Sequence, residues 1–235
     1  MNEHTVRAFD DEIDRLRGMI SEMGGRAEAA IAGALQALVK HDSKVAEQVV
    51  ADDKLIDALE IEIEKLAVQI IALRAPMADD LREVVSAIKI AGVIERIGDY
   101  SKNIAKRSLE IGNLGQIEPL ILIPAMAEVA GDMVRRVLDA FAARDSKAAV
   151  VVCEMDAKVD GYYNSVFRSL LTHMMENPQN ISKAAQLLFV ARNLERIGDH
   201  ATNVAEMVYY AATGDHMAER ERVSADDDGA VKLGK

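Results

Sequence analysis

The pentapeptide Glu-Arg-Ile-Gly-Asp stands at residues 95–99 and again, letter for letter, at residues 195–199. Asn103 and Asn203 follow the two copies at the same offset. An identity of this length at a spacing of about 100 residues indicates an internal repeat. We therefore expect the two halves of the 235-residue chain to fold as equivalent units that stack and cover each other's apolar surface.

The repeat extends beyond the pentapeptide. Three further features recur at matching places: the tripeptide Asp-Ser-Lys at 42–44 and 145–147, the aspartate pairs Asp53/Asp57 and Asp156/Asp160, and the prolines Pro76 and Pro178. Because the prolines and the polar tripeptides lie between apolar periodic segments, they predict the same order of helices and breaks in both halves.

Apolar residues at three- and four-residue spacing predict six long helices. We place the first from Phe9 to about residue 38 and the second up to about residue 73, with Asp42 or Ser43 as its cap. The other four are expected from Asp79 or Asp80 (as cap) to Gly112 or Gly115, from Pro119 or Pro124 to Ala143, from Lys147 to Glu176, and from Asn180 or Ser182 to Thr213. The predicted fold is all-α: two tandem pseudo-symmetric three-helix bundles at 1–113 and 114–214, with a charged disordered tail at 215–235.

Composition narrows the class of protein. A formal net charge of −11 argues against nucleic acid as a partner and against simple attraction to anionic lipid. The sequence has no run of 18 apolar residues and no basic-then-apolar start, so we expect neither membrane insertion nor a signal peptide. Cys153 is the single cysteine and lies among valines, which predicts a buried structural thiol. We expect a cytoplasmic protein.

Each repeat carries a stripe of oxygen-bearing side chains. Residues four apart share one face of a helix, and the apolar ridge of isoleucines lies on another face. Carboxylates at this spacing repel each other, so a nearby cation would stabilise them. The cation could be Arg96 or Arg196, each paired with the aspartate three residues on. It could also be a metal ion such as Mg²⁺, Mn²⁺, Ca²⁺ or oxidised iron. Interhelical ion pairs and a solvated acidic face are the alternative. The candidate metal ligands are Glu95, Asp99, Asn103, Asp53 and Asp57 in the first half, and Glu195, Asp199, Asn203, Asp156 and Asp160 in the second.

Motifs for catalysis are absent from the sequence. None of the five histidines has Glu three positions before it, as a di-iron bundle enzyme would require, and no phosphate-cradling glycine loop occurs. His200 corresponds to Tyr100 in the other repeat, so an imidazole is not required there. We expect a non-enzyme; a metal-binding helical-bundle enzyme and a purely structural coiled-coil scaffold are the alternatives.

Several stretches resemble the signature of the PhoU family of phosphate-uptake regulators. They are residues 73–82 (LRAPMADDLR), the pentapeptide, residues 103–106 (NIAK), and the opening segment from His4 through FDDEI at 9–13 to Met23-Gly24. The resemblance covers residues 4–213. It implies a cytoplasmic homodimer that represses the phosphate-starvation response by contacting the ATPase subunit of the phosphate transporter and the sensor histidine kinase of the phosphate two-component system.

The resemblance also bears on metals and on the arginines. Some family members bind iron or zinc clusters through an acidic residue, an arginine and an aspartate on the third helix of each repeat, and this chain keeps Arg96 and Arg196 in that pattern. It departs upstream, where an acidic residue is often found but Gly92-Val93 and Arg192-Asn193 stand here. We therefore expect no required cofactor, although a divalent cation or iron or zinc could sit at the acidic stripes, and we expect the two arginines to contact a partner.

Overall fold

Six long α-helices form the fold in the computed structural model, which describes residues 3–111 and 122–217. Within these two ranges there is no strand, and the predicted all-α class is confirmed. The helices are α1 (Glu3–Lys40), α2 (Ser43–Arg74), α3 (Asp79–Ile111), α4 (Leu122–Ala143), α5 (Ser146–Glu176) and α6 (Ile181–Thr213), with a short 3₁₀ turn (Pro178–Asn180) before α6.

Equivalent aspartates start the second helix of each half. The Asp42 side chain accepts hydrogen bonds from the backbone N–H groups of Lys44 (3.1 Å) and Val45 (3.2 Å). Asp145 accepts the corresponding two bonds at the start of α5, at 2.9 and 3.0 Å. An aspartate in this position satisfies N–H groups that the first helical turn leaves open, which is worth about 1 kcal/mol. Both breaks predicted from the Asp-Ser-Lys tripeptides are confirmed.

Several predicted helix ends differ from the structure. α1 begins at Glu3, well before Phe9, where the apolar periodicity begins. Asp79 and Asp80 do not cap α3; they lie in its first turn, where their charge suits the positive end of the helix dipole. α4 begins at Leu122 and α6 at Ile181, each between its two predicted starts.

Parts of the predicted layout lie outside the described residues: the end of the third helix at Gly112 or Gly115, the boundary at 113/114, and residues 218–235 of the tail. The first tail residues are held in place. His216 stacks on Tyr210 with ring centroids 4.9 Å apart, and Met217 packs against the core. Residues 215–217, which the prediction assigned to the tail, are therefore part of the described fold.

The two halves are bundles that meet through equivalent helices. α1, α2 and α3 contact one another, as do α4, α5 and α6, and the halves join through α3 with α6 and α1 with α4. The isoleucine ridge of α3 is buried in the core, as predicted: Ile90, Ile94, Ile97 and Ile104. The two helices that carry the pentapeptides are thus the central pair of the molecule.

Polar side chains of α3 contact both its own bundle and the second one. Buried Glu83 on α3 accepts a hydrogen bond from Arg17 Nε of α1 (2.5 Å) and forms an ion pair with Arg144 Nη1 in the turn after α4 (3.2 Å). Farther along α3, Arg107 Nη1 donates to Gln186 Oε1 of α6 at 2.5 Å. The Glu83–Arg144 and Arg107–Gln186 contacts thus join the two bundles at places far apart along α3.

Two smaller predictions concern burial and the membrane. Cys153 is buried, as expected for a structural thiol. Among the residues that the structure describes, no helix has the length and apolar character needed to cross a lipid bilayer.

Candidate functional site

The first acidic site lies between α2 and α3 and contains a lysine. Lys102 Nζ donates to Asp53 Oδ2 on α2 at 2.5 Å and also to Asp99 on α3. Asp53 is 6% exposed, so its charge is largely withdrawn from water. The sequence prediction that the aspartates of the second helix reach the motif helix is correct here, but the cation between them is Lys102 and not Arg96.

Electrostatics at this site are dominated by crowded carboxylates. Burial raises the pKa of Asp57, and the neighbouring Asp53 raises it further, against the opposing effect of Lys102. Burial lowers the pKa of Lys102, but its hydrogen bonds and attractions to Asp53 and Asp99 outweigh this and raise the pKa above its usual value. Lys102 is therefore a permanent positive charge at any physiological pH.

Glu60 is an acidic member of this site that sequence reasoning missed. Its Oε1 would lie 3.3 Å from a Cβ atom added to Gly92, so the carboxylate fills the space where a side chain at 92 would be. The pKa of Glu95 is raised by burial first, then by Asp99 and Glu60. Burial followed by Glu64 and Asp57 raises the pKa of Glu60 itself. Glu60 thus brings a carboxylate of α2 beside Gly92 of α3.

The second acidic site is neutralised differently. Arg192 on α6 pairs with Glu195, three residues on, and these are the positions of Gly92 and Glu95 in the first repeat. Burial outweighs the attraction of Arg192 and raises the pKa of Glu195 to about 7, with Asp199 and Asp160 adding to the rise. Its Oε2 is buried and has no hydrogen-bond partner among the described residues. Thr202, at the position of Lys102, donates instead to the backbone carbonyl of Asp199 at 2.7 Å.

The aspartates of α5 hold different environments from those of α2. Asp156 is half-buried, and its Oδ1 would lie 3.4 Å from a Cβ atom on Gly198. Asp160 is exposed, although it lies near enough to Glu195 to affect its pKa. The two asparagines of the stripes, Asn103 and Asn203, are exposed and half-buried respectively.

The mid-helix glycines allow the second helix of each repeat to approach. A Cβ atom on Gly98 would meet Ile56 Cδ1 at 2.9 Å and Asp53 Oδ1 at 3.6 Å. One on Gly198 would meet Val159 Cγ1 at 3.3 Å. The groups that approach both glycines are side chains and not a neighbouring backbone.

Arg96 and Arg196 are exposed on the two central helices. An aromatic pair close to both arginines connects these helices. The rings of Tyr100 and His200 meet edge to face with centroids 5.1 Å apart, and the Arg196 guanidinium carbon lies 5.7 Å from the Tyr100 centroid. The His200 Nδ1–H donates to the Arg196 carbonyl at 2.9 Å. Burial first, and then the charge of Arg96, lowers the pKa of His200. Both arginines therefore act on the same half-buried imidazole.

The geometry does not fit a multinuclear metal centre. Across residues 3–111 and 122–217, no group of three or more His, Cys, Asp or Glu side chains is arranged to hold a metal ion. Lys102 lies beside Asp99, and Arg192 lies beside Glu195. Each occupies space that a metal ion bound to that carboxylate would need. The assignment of the ten candidate residues, from Asp53 to Asn203, as metal ligands therefore remains a prediction.

A tandem helical repeat with paired acidic motifs on its two central helices defines the class of this protein. The family model described as PhoU domain matches it twice, at residues 20–108 and 123–208. A relative from Zymomonas mobilis, described as a phosphate-specific transport system accessory protein PhoU homolog, is 56% identical over 93% of this chain and 92% of its own. One of the same description from Rhizobium meliloti is 46% identical over 90% of each chain. The chain belongs to the PhoU family.

Solved structures agree with this assignment. The crystal structure of PhoU from Pseudomonas aeruginosa is 36% identical, with a TM-score of 0.84, and the match covers 88% of this chain and 100% of that one. The phosphate transport system regulatory protein PhoU from Streptococcus pneumoniae is 26% identical with the same TM-score. The predicted family and fold are both confirmed, and the chain is an accessory protein of phosphate uptake by family.

Proposed function

We propose that this chain is a cytoplasmic negative regulator of phosphate uptake that acts by binding other proteins and not by catalysis. Its partners would be the ATPase subunit of the phosphate transporter and the sensor histidine kinase of the phosphate two-component system. Its relatives are described as accessory and regulatory proteins of a phosphate transport system, which supports this proposal. Repression of the phosphate-starvation response would follow from restraint of both partners when phosphate is plentiful.

The observation that carries the proposal is the exposed arginine pair on the central helices. Arg96 and Arg196 come from identical pentapeptides, and both are exposed although they belong to the two central helices. A guanidinium group offers five N–H donors and binds carboxylates through two parallel bonds. A partner surface with two acidic groups would therefore fit this face.

The experiment replaces both arginines with glutamate and tests repression in cells that lack their own copy of the protein. In phosphate-rich medium, R96E/R196E should raise a phosphate-starvation promoter reporter several-fold and weaken co-purification of the ATPase subunit and the kinase. R15E/K44E, on exposed residues of α1 and α2, is the matched double charge reversal outside the motif helices and should repress normally. A folded R96E/R196E chain that represses like the unsubstituted protein would remove the arginines from the mechanism.

The expected homodimer can be tested through an apolar stripe on α5. Phe167, Leu171 and Met175 lie four residues apart and are exposed, Met175 by 76%. Apolar side chains in one stripe commonly mark a contact surface. We expect L171E to convert a dimer to a monomer in analytical ultracentrifugation, whereas T172E, at the next and polar position, should leave the dimer unchanged. A monomeric unsubstituted chain would contradict this part of the proposal.

A non-catalytic role makes a separate prediction for the purified chain. The full-length protein should not hydrolyse ATP or phosphate esters by itself. Turnover that follows the protein through purification and is lost in an R96E/R196E variant would favour the metal-binding enzyme alternative over the regulator.

A further inference from the structure

The first motif site already contains a cation supplied by the chain. Lys102 extends from α3, three residues after Asp99, and its ammonium bridges Asp99 and the buried Asp53 of α2. A buried carboxylate is stable only with a paired charge and hydrogen bonds. The ammonium therefore lies at the place between α2 and α3 where a metal ion would have to sit to join the two aspartates.

We propose that Lys102 is the resident cation of the first motif site and closes the Asp53–Asp99 pair to metal ions. An ammonium group has three N–H donors, so one lysine can bond both carboxylates at once and still reach a third acceptor. A metal ion could bind the pair only by expelling this side chain. The joint between α2 and α3 is therefore independent of metal supply.

The second repeat shows that the lysine is a feature of one site and not of the fold. Thr202 takes the equivalent position on α6, and its hydroxyl bonds the backbone of its own helix. The cation of that repeat is Arg192, which pairs with Glu195 within α6 and lies with its guanidinium carbon 5.7 Å from the centroid of the Tyr163 ring on α5. Although both sites contain the same pentapeptide, their cations lie on opposite sides of it in the sequence: Lys102 follows the first copy, and Arg192 precedes the second.

The equivalence of Lys102 and Thr202 also supplies a natural substitution. K102T places in α3 the residue that α6 already accommodates in the same surroundings of isoleucine, glycine and aspartate. It removes the ammonium without adding bulk. K106T makes the same change one turn later, at an exposed lysine of the same helix, and serves as the matched control.

The test counts Mn²⁺ bound to the full-length, untagged chain by equilibrium dialysis and atomic absorption. D53N should bind as much Mn²⁺ as the unsubstituted chain. K102T should bind about one Mn²⁺ more per chain, since carboxylate oxygens suit this ion, and Mn²⁺ should raise its melting temperature. The gain should vanish in K102T/D53N and be absent from K106T and K102R.

Two results would overturn the proposal. Loss of bound Mn²⁺ in D53N would show that metal reaches the pair in spite of Lys102. A helical K102T chain that binds no more Mn²⁺ than the unsubstituted protein would show that the lysine is not what closes the site. If K102T does not fold, the comparison of D53N with the unsubstituted chain decides. Because the count is made on the isolated chain, its outcome is independent of the partner contacts proposed above.

Discussion

Tyr100 and His200 occupy equivalent positions in the two repeats, and their rings meet edge to face across the α3–α6 interface with centroids 5.1 Å apart. The repeat thus folds back so that the same position of each copy meets its counterpart. The contact places a titratable imidazole between two arginines, Arg96 and Arg196, that both act on its charge. The centre of the molecule should therefore respond to pH through His200.

The first prediction concerns acid stability and His200. Its pKa in the folded chain is lowered, by burial first, so folding favours the neutral ring. This contribution is complete above the unfolded pKa near 6.5 and is lost as pH falls through the lower folded pKa. H200Y, which copies Tyr100, should flatten the fall in melting temperature between about pH 7 and pH 5. An unchanged slope would show that other groups govern acid stability.

Glu195 should give the opposite pH dependence. Its folded pKa is raised to about 7 by burial, so the protonated form is favoured on folding. This contribution is complete below the unfolded pKa near 4.5 and is lost as pH rises through about 7. E195Q should therefore gain stability relative to the unsubstituted chain at pH 8 but not at pH 4.5, by about 1–2 kcal/mol after solvent screening. Denaturant unfolding in EDTA at both pH values measures this difference.

A matched control for Glu195 is available on the other motif helix. E95Q removes the equivalent carboxyl, whose pKa is raised by burial and by the surrounding acids of the first site. Its effect should have the same sign as that of E195Q. If E195Q is destabilising at pH 8, the pair with Arg192 outweighs burial and the prediction is wrong.

Glu83 should be far more important for stability than an exposed acid of similar pairing. It is buried and joins Arg17 of α1 to Arg144 beside α4. E83Q should cost about 3 kcal/mol, because it leaves two guanidinium groups without their shared carboxylate. E22Q removes an exposed pair with Arg26 and should cost under about 0.5 kcal/mol. Equal effects in urea unfolding would show that the buried contact contributes no more than a surface pair.

The sequence predicted the architecture well because the helices of each repeat, and the breaks between them, depend on residues that are close together in the chain. The repeated pentapeptide is found by comparing the two halves of the sequence. The aspartate caps and the isoleucine spacing follow from the geometry of a single helix. The cation that neutralises each acidic site depends on which side chains of neighbouring helices meet. The spacing of apolar residues carries no information about those contacts. Lys102 could have been singled out by its three-residue spacing from Asp99 and its difference from Thr202, and Glu60 by lying on the same stripe as Asp57. The same three-residue spacing separates Arg192 from Glu195 and could have predicted their ion pair.

The helix glycines allow a last prediction in which helix propensity and packing oppose each other. Replacing glycine with alanine inside a helix gains about 1 kcal/mol when the new methyl group has space. Gly18 on α1 is exposed with nothing near its added Cβ, so G18A should be stabilising by about that amount. On Gly98 the methyl group would press on Ile56 Cδ1 at 2.9 Å, and Ile56 is itself buried. G98A should therefore forfeit the gain or become destabilising, whereas G198A, with its nearest contact at 3.3 Å, should fall between the two. The order G18A, G198A, G98A in melting temperature checks this, and a G98A chain as stable as G18A would mean that α2 does not approach α3 at this glycine.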